Sequence, residues 1–164
     1  MKTITLILVF ILTFLISFPK NKVYELVLDN LAKYDVSIVS QNKDISSLGI
    51  ELDNNNIYLS GAKIAKVSKI DFEMYRIKAN NIRFSGSFKQ MLPSIEEASV
   101  YIKLGDFLNI SGKFGTIVGN LDISNKKIIL TANITSNMYN KYRNIFKIFK
   151  KSKDTKGYIY EFNF

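Results

Sequence analysis

A chain of 164 residues with 23 Lys and Arg against 14 Asp and Glu carries a formal charge of +9, a balance suited to an anionic surface. It contains neither Cys nor His. This excludes disulfides and thiolate chemistry, and removes the usual general base, the commonest zinc ligand and the standard hydrolase triads.

The chain opens on its most distinctive stretch. From Thr3 to Phe18 every residue is Ile, Leu, Val or Phe apart from Thr3, Thr5, Thr13 and Ser17, and no charge interrupts the run. As a helix it would span about 24 Å, slightly less than the ~30 Å hydrocarbon core of a bilayer. The flanking Lys2, Lys20 and Lys22 can reach the interface. A cleaved signal peptide is the rival, but Leu15-Ile16-Ser17-Phe18-Pro19 has no small-residue cleavage pattern. The expectation is a retained transmembrane signal-anchor over residues 1–19, with Ile4, Leu6, Leu8, Phe10, Leu12, Phe14, Ile16 and Phe18 in the membrane. Residues 20–164 then form a single extracytoplasmic β-rich domain, since two prolines and no Gly/Ser linker give no sign of a second.

Lys22 to Tyr34 is predicted as a short amphipathic helix, with Val23, Val27, Leu28 and Leu31 on one side. From Val36 the period falls to two. Leu48, Ile50 and Leu52 alternate with polar partners, and Asp53-Asn54-Asn55-Asn56 reads as a turn. Ile57 to Ser60, Ile70 to Met74 and Ile82 to Phe84 follow as strands with one wet face. Gln90 to Glu97, holding Pro93, is the clearest internal loop. Ala98 to Leu104 resumes the alternation, Gly105-Asp106 marks a turn, and Leu108 to Ser111 is the next strand. After Gly112 to Gly115, Ile117, Gly119, Leu121 and Ile123 share a face, and Ser124-Asn125-Lys126 turns into Lys127 to Thr135. Ser136 to Phe149 is predicted as a helix, with Met138, Tyr142, Ile145 and Phe149 on one face. Lys150 to Gly157 reads as a basic loop, and Tyr158 to Phe164 as a final aromatic strand. The fold class expected is mainly β: a transmembrane helix, a short amphipathic helix, then one antiparallel curved sheet or a sandwich, with one helix before the last strand.

Little chemistry is legible. No phosphate cradle, nucleotide fingerprint or metal-ligand spacing appears, so no catalytic, cofactor or metal residues are assigned and no enzyme is expected. Glu96-Glu97 and Asp71/Glu73 are the nearest approaches to paired carboxylates and read as solvated surface. The sequons at Asn109 and Asn133 fall inside predicted strands, where chance explains them. Nine Lys and Arg lie between Lys126 and Lys156 against one acid, Asp154. Of these Lys141, Arg143, Lys147, Lys150, Lys151 and Lys153 are the candidates for contact with anionic lipid head groups. The apolar strand face is the second candidate site: left partly uncovered, it would form a trough for acyl chains.

The leader, Phe18-Pro19, a short helix, repeated strands, an aromatic helix and the closing Gly157-Tyr158-Ile159-Tyr160 strand resemble the type II secretion system protein N family. Gly115-Thr116-Ile117-Val118-Gly119-Asn120-Leu121 is like the Gly-x-x-x-Gly-x-Leu strand starts of that family, which is similar in turn to the AsmA-like envelope proteins. The resemblance implies curved β-sheets associated with lipid handling and no catalytic residues. It implies a non-catalytic, single-pass inner-membrane protein with its C-terminal domain in the periplasm, acting in secretion-system assembly or lipid handling. Its partners would be membrane, lipid, and secretion or envelope proteins, with no nucleic acid. A lipid-carrier adaptor of the lipopolysaccharide-export type would share this anatomy. The alternative is a small outer-membrane β-barrel with a cleaved leader, for which the alternating Tyr158, Tyr160, Phe162 and Phe164 would be the insertion signal.

Overall fold

The structure, a computed structural model, describes residues 20–46, 49–102, 105–152 and 157–164. The predicted anchor, residues 1–19, lies outside the described residues, as do Leu48, Leu104 and Lys153. Among the described residues no helix is long and apolar enough to cross a membrane.

The predicted amphipathic helix is present as α1, Lys20–Ala32. It closes through Tyr34 N–H to Leu31 O and Asp35 N–H to Ala32 O, both 3.0 Å. Asp35 takes a left-handed φ of 56°, the usual way to turn a helix into a following strand. Strands β1 (Val36–Val39), β2 (Asn42–Ile45), β3 (Gly49–Leu59), β4 (Ala62–Glu73) and β5 (Arg76–Phe84) follow, then a short helix α2 (Phe88–Met91). Next come β6 (Ile95–Tyr101), β7 (Gly105–Gly112), β8 (Gly115–Asp122) and β9 (Lys127–Ile134). Helices α3 (Ser136–Lys141) and α4 (Arg143–Phe146) precede an edge strand β10 (Lys150–Lys151) and β11 (Tyr158–Asn163).

The strands make one antiparallel sheet of eleven, ordered β1-β3-β4-β5-β6-β7-β8-β9-β11-β10, with β2 also on β3. The fold is therefore mainly β, as expected, but a single sheet rather than a sandwich. Most neighbours in the sheet are neighbours in sequence, because short polar turns leave a strand nowhere else to pair. The order ends at β1 and β10, so the described strands do not close into a barrel.

Register gathers the apolar residues into continuous rows. One row runs Ile50, Phe72, Ile77, Val100, Leu108, Gly119, Leu130, Tyr160 from β3 to β11. The next runs Leu52, Ile70, Ala79, Ala98, Ile110, Ile117, Ala132, Tyr158 across the same strands. Because successive side chains alternate between faces, these rows make one face apolar from end to end. Over the first strands the opposite face is polar and carries ion pairs: Lys69 Nζ to Glu51 at 2.7 Å and to Asp71 at 3.5 Å, and Lys78 Nζ to Glu97 at 2.8 Å.

Two separate cores form on the apolar face. Ile50, Leu52, Val67, Ile70 and Phe72 make the first, beneath α1. Phe114, Ala132, Ile134, Phe146 and Phe149 make the second, beneath α3 and α4.

Several expectations need correction. Asp53 to Asn56 is not a turn: β3 runs straight through it, and the reversal comes at Ser60-Gly61, with φ of 49° and 78°. Asn54 does adopt a left-handed φ of 51°, but inside the strand. There the inward residues change from Ile50 and Leu52 to Asn55 and Ile57, and the neighbouring strands make the same change beside Ser68 and Asn81. Left-handed tolerance in Asn thus serves a shift of face rather than a reversal. Gly105-Asp106 opens β7 instead of preceding it. The loop at Pro93 is shorter than predicted, with Gln90 and Met91 in α2 and Ile95 to Glu97 in β6. The single helix over Ser136 to Phe149 is broken at Tyr142, and Lys150-Lys151 pair with β11 rather than lying in a loop.

Candidate functional site

The apolar face is covered at both ends and open between them. At the first end α1 lays Tyr24 edge-on against Phe72, ring centroids 5.3 Å apart at 80°, and Val27 packs on the same core. Lys43 Nζ sits 4.1 Å from the Tyr24 ring centroid, a cation–π contact that fixes the start of the helix. At the other end Thr135 caps α3 by accepting from the Met138 N–H at 3.4 Å. Tyr139 then stacks on Tyr158 at 4.4 Å and 10°. Phe146, 1% exposed, meets Phe114 at 6.2 Å and Phe149 at 6.1 Å, and Phe149 reaches Tyr160.

Between the covers the face follows β5, β6 and β7, where Ala79 and Ala98 are paired side by side. Two alanines at the centre of a row of larger residues leave a shallow trough. At one end Val100 is 43% exposed and Ile102 73% exposed. At the other lies a cavity of about 500 Å³ whose lining includes Ile82, Ile95, Leu92 and Tyr142. Ile82 packs on the first core and Ile95 and Tyr142 on the second, so the cavity straddles the seam between them. Arg83, Lys89, Lys113 and Glu96 also line it.

The described cations predicted for head-group contact lie on the surface of the second cover and beside it. Lys141, Arg143, Lys147, Lys150 and Lys151 are all exposed on the outside of the second cover and its edge strand, and Lys153 lies outside the described residues. Lys141 Nζ lies 5.4 Å from the Tyr142 ring centroid. Lys150 and Lys151 sit on the terminal strand β10, where lysines guard an unpaired edge against association. The paired carboxylates resolve into separate partnerships. Glu73 pairs with Arg76, Asp71 with Lys69, and Glu97 with Lys78. The Lys78 hydrogen bond holds the Glu97 carboxyl below its ordinary range. Glu96 is left to the cavity. Asn109 and Asn133 of the sequons are exposed within β7 and β9. Among the described residues no group of His, Cys, Asp and Glu could hold a metal ion.

Sequence reasoning passed over Phe146 and the cavity cations. Phe146 was detectable, since Met138, Tyr142 and Phe146 form a clean four-residue series. Arg83, Lys89 and Lys113 come from β5, α2 and the β7–β8 turn, and no local pattern unites them. No family model, curated protein or solved structure matches this chain.

Proposed function

We propose that this chain is a non-catalytic envelope protein, tethered in the inner membrane by residues 1–19, whose periplasmic domain holds lipid acyl chains on the open part of its apolar sheet face. Lipid handling or type II secretion-like assembly is the setting. The observation that carries this reading is the exposed apolar strip between the two covers, with Val100 at 43% and Ile102 at 73% exposure. Isolated exposed apolar residues are ordinary, but Val100 stands in a sheet-wide apolar row between Ile77 and Leu108, and Ile102 follows it two residues on. The place where α1 begins supports this reading. Residue 20 begins α1, whose Tyr24 lies on Phe72, and Phe72 is in register with Ile77 and Val100. A membrane segment joined there would hold the uncovered part of the face close to the bilayer.

The test places a photo-crosslinking residue in the full-length protein in cells, once at Val100 and once at Asn109 on the opposite face of the sheet. Lipid adducts at Val100 and not at Asn109 are expected. Adducts at neither position, or equally at both, would overturn the assignment.

A further inference from the structure

The cavity at the seam combines an apolar floor with a charged rim, and the two together define a ligand. Ile82, Ile95 and Leu92 supply the floor; Arg83, Lys89 and Lys113 supply three positive charges against one acid, Glu96. All three cations are exposed, and among the described residues none is held in an ion pair. By contrast, Lys69, Arg76, Lys78 and Lys127 each have a carboxylate partner. A volume of about 500 Å³ falls within the range of small-ligand sites, about 300–1,000 Å³.

The floor does not stop at the cavity. From Ile82 the apolar face continues through Ala79 to Ile77, and from Ile95 through Ala98 to Val100. Five residues of strand cover about 17 Å, so cavity and trough form one elongated track, charged at one end and exposed at the other. On the β5 side Ile77, Ala79 and Ile82 pack against the flank of the first core, and Ile95 packs against the second, whereas Ala98 and Val100 belong to neither.

We propose that this track binds one long-chain anionic lipid, with its carboxylate or phosphate head at Lys89 and Lys113 and its chain along Ala79 and Ala98 toward Val100; Arg83, in register with Lys66, borders the cavity from the opposite face of β5. This rests on the lipid-handling reading and adds the class and direction of the ligand. Charge complementarity selects an anionic head, because a neutral head accepts hydrogen bonds from these cations without the ion-pair attraction.

The experiment uses the full-length protein in nanodiscs of uncharged-headgroup lipid. It is labelled with a diazirine-bearing palmitate analogue or with the corresponding fatty alcohol, and the labelled peptides are mapped. The acid is expected to label the β5–β6 region about tenfold more efficiently than the alcohol. Lys89→Glu with Lys113→Glu, both exposed and outside the two cores, should reduce the acid to the level of the alcohol without changing alcohol labelling. Ala98→Phe should abolish labelling by both while circular dichroism remains that of the parent. Equal labelling by acid and alcohol in the parent protein would overturn the proposed head-group site and leave acyl binding standing. Labelling by neither would overturn both readings. Full displacement of the acid by inorganic phosphate would show an anion site with no claim on the chain, and would also overturn the proposal.

Discussion

Asn55 shows how one polar residue organises the sheet around it. It is fully buried, and its Nδ2 donates to the carbonyls of Leu52 at 2.9 Å and Val67 at 3.4 Å. Its Oδ1 accepts from Ser40 Oγ at 2.5 Å. These bonds lie where β3 and β4 shift the inward face, so the side chain satisfies backbone groups that the disturbed ladder leaves over. Asn55→Leu would keep the branching at Cγ and strand those partners. A loss of about 1–3 kcal/mol is expected, read as a lowered denaturation midpoint of the full-length protein; an unchanged midpoint would remove Asn55 from this role. Gly119 works by the opposite means. It stands in the apolar row between Leu108 and Leu130, and a Cβ there would come within 2.9 Å of Leu108 Cβ. The missing side chain lets its larger neighbours meet, and Gly119→Ala would overpack that row.

At the scale of elements, the two covers make the same contact by different means. Helix α1 has 13 residues and offers a half-buried stripe of Val23, Val27, Leu28 and Leu31. Helices α3 and α4, of six and four residues, are too short to persist without tertiary support. The aromatic cluster around Phe146 holds them. Phe146→Ala should cost about 3–5 kcal/mol and expose residues 135–150 to limited proteolysis while α1 stays protected. Simultaneous release of α1 would mean that the two cores melt as one. This explains why the helix predicted over Ser136 to Phe149 was half right. Met138, Tyr142, Ile145 and Phe149 do turn inward, at least in part. Period alone cannot reveal the break at Tyr142, because the segment must bend to bring both Tyr139 and Phe149 onto the sheet, against Tyr158 and Tyr160. The misplaced turn at Asp53 to Asn56 has a related cause: Asn is favoured wherever φ is positive, and composition does not distinguish a reversal from a shift of face.

The described residues form an open sheet with two small cores, and the proposed tether would decide where that sheet works. The full-length protein is expected to remain in the membrane fraction after an alkaline wash and to retain its first 19 residues by intact mass, whereas deletion of residues 2–19 should release it. A parent protein found in the soluble fraction without its leader would remove the tether. Much of this organisation was legible in advance. The change from a helical period to a period of two after Tyr34, the polar turns and the uniform alternation determined an antiparallel β architecture with one apolar face, because alternation leaves a strand only one way to divide its side chains. Absent Cys and His determined which chemistries the chain cannot perform. Tertiary structure alone decided that the strands lie in a single open sheet, that two covers leave a strip between them, and that Arg83, Lys89 and Lys113 surround one cavity. Those facts depend on the meeting of residues far apart in the chain, and periodicity, being a local property, carries no information about them.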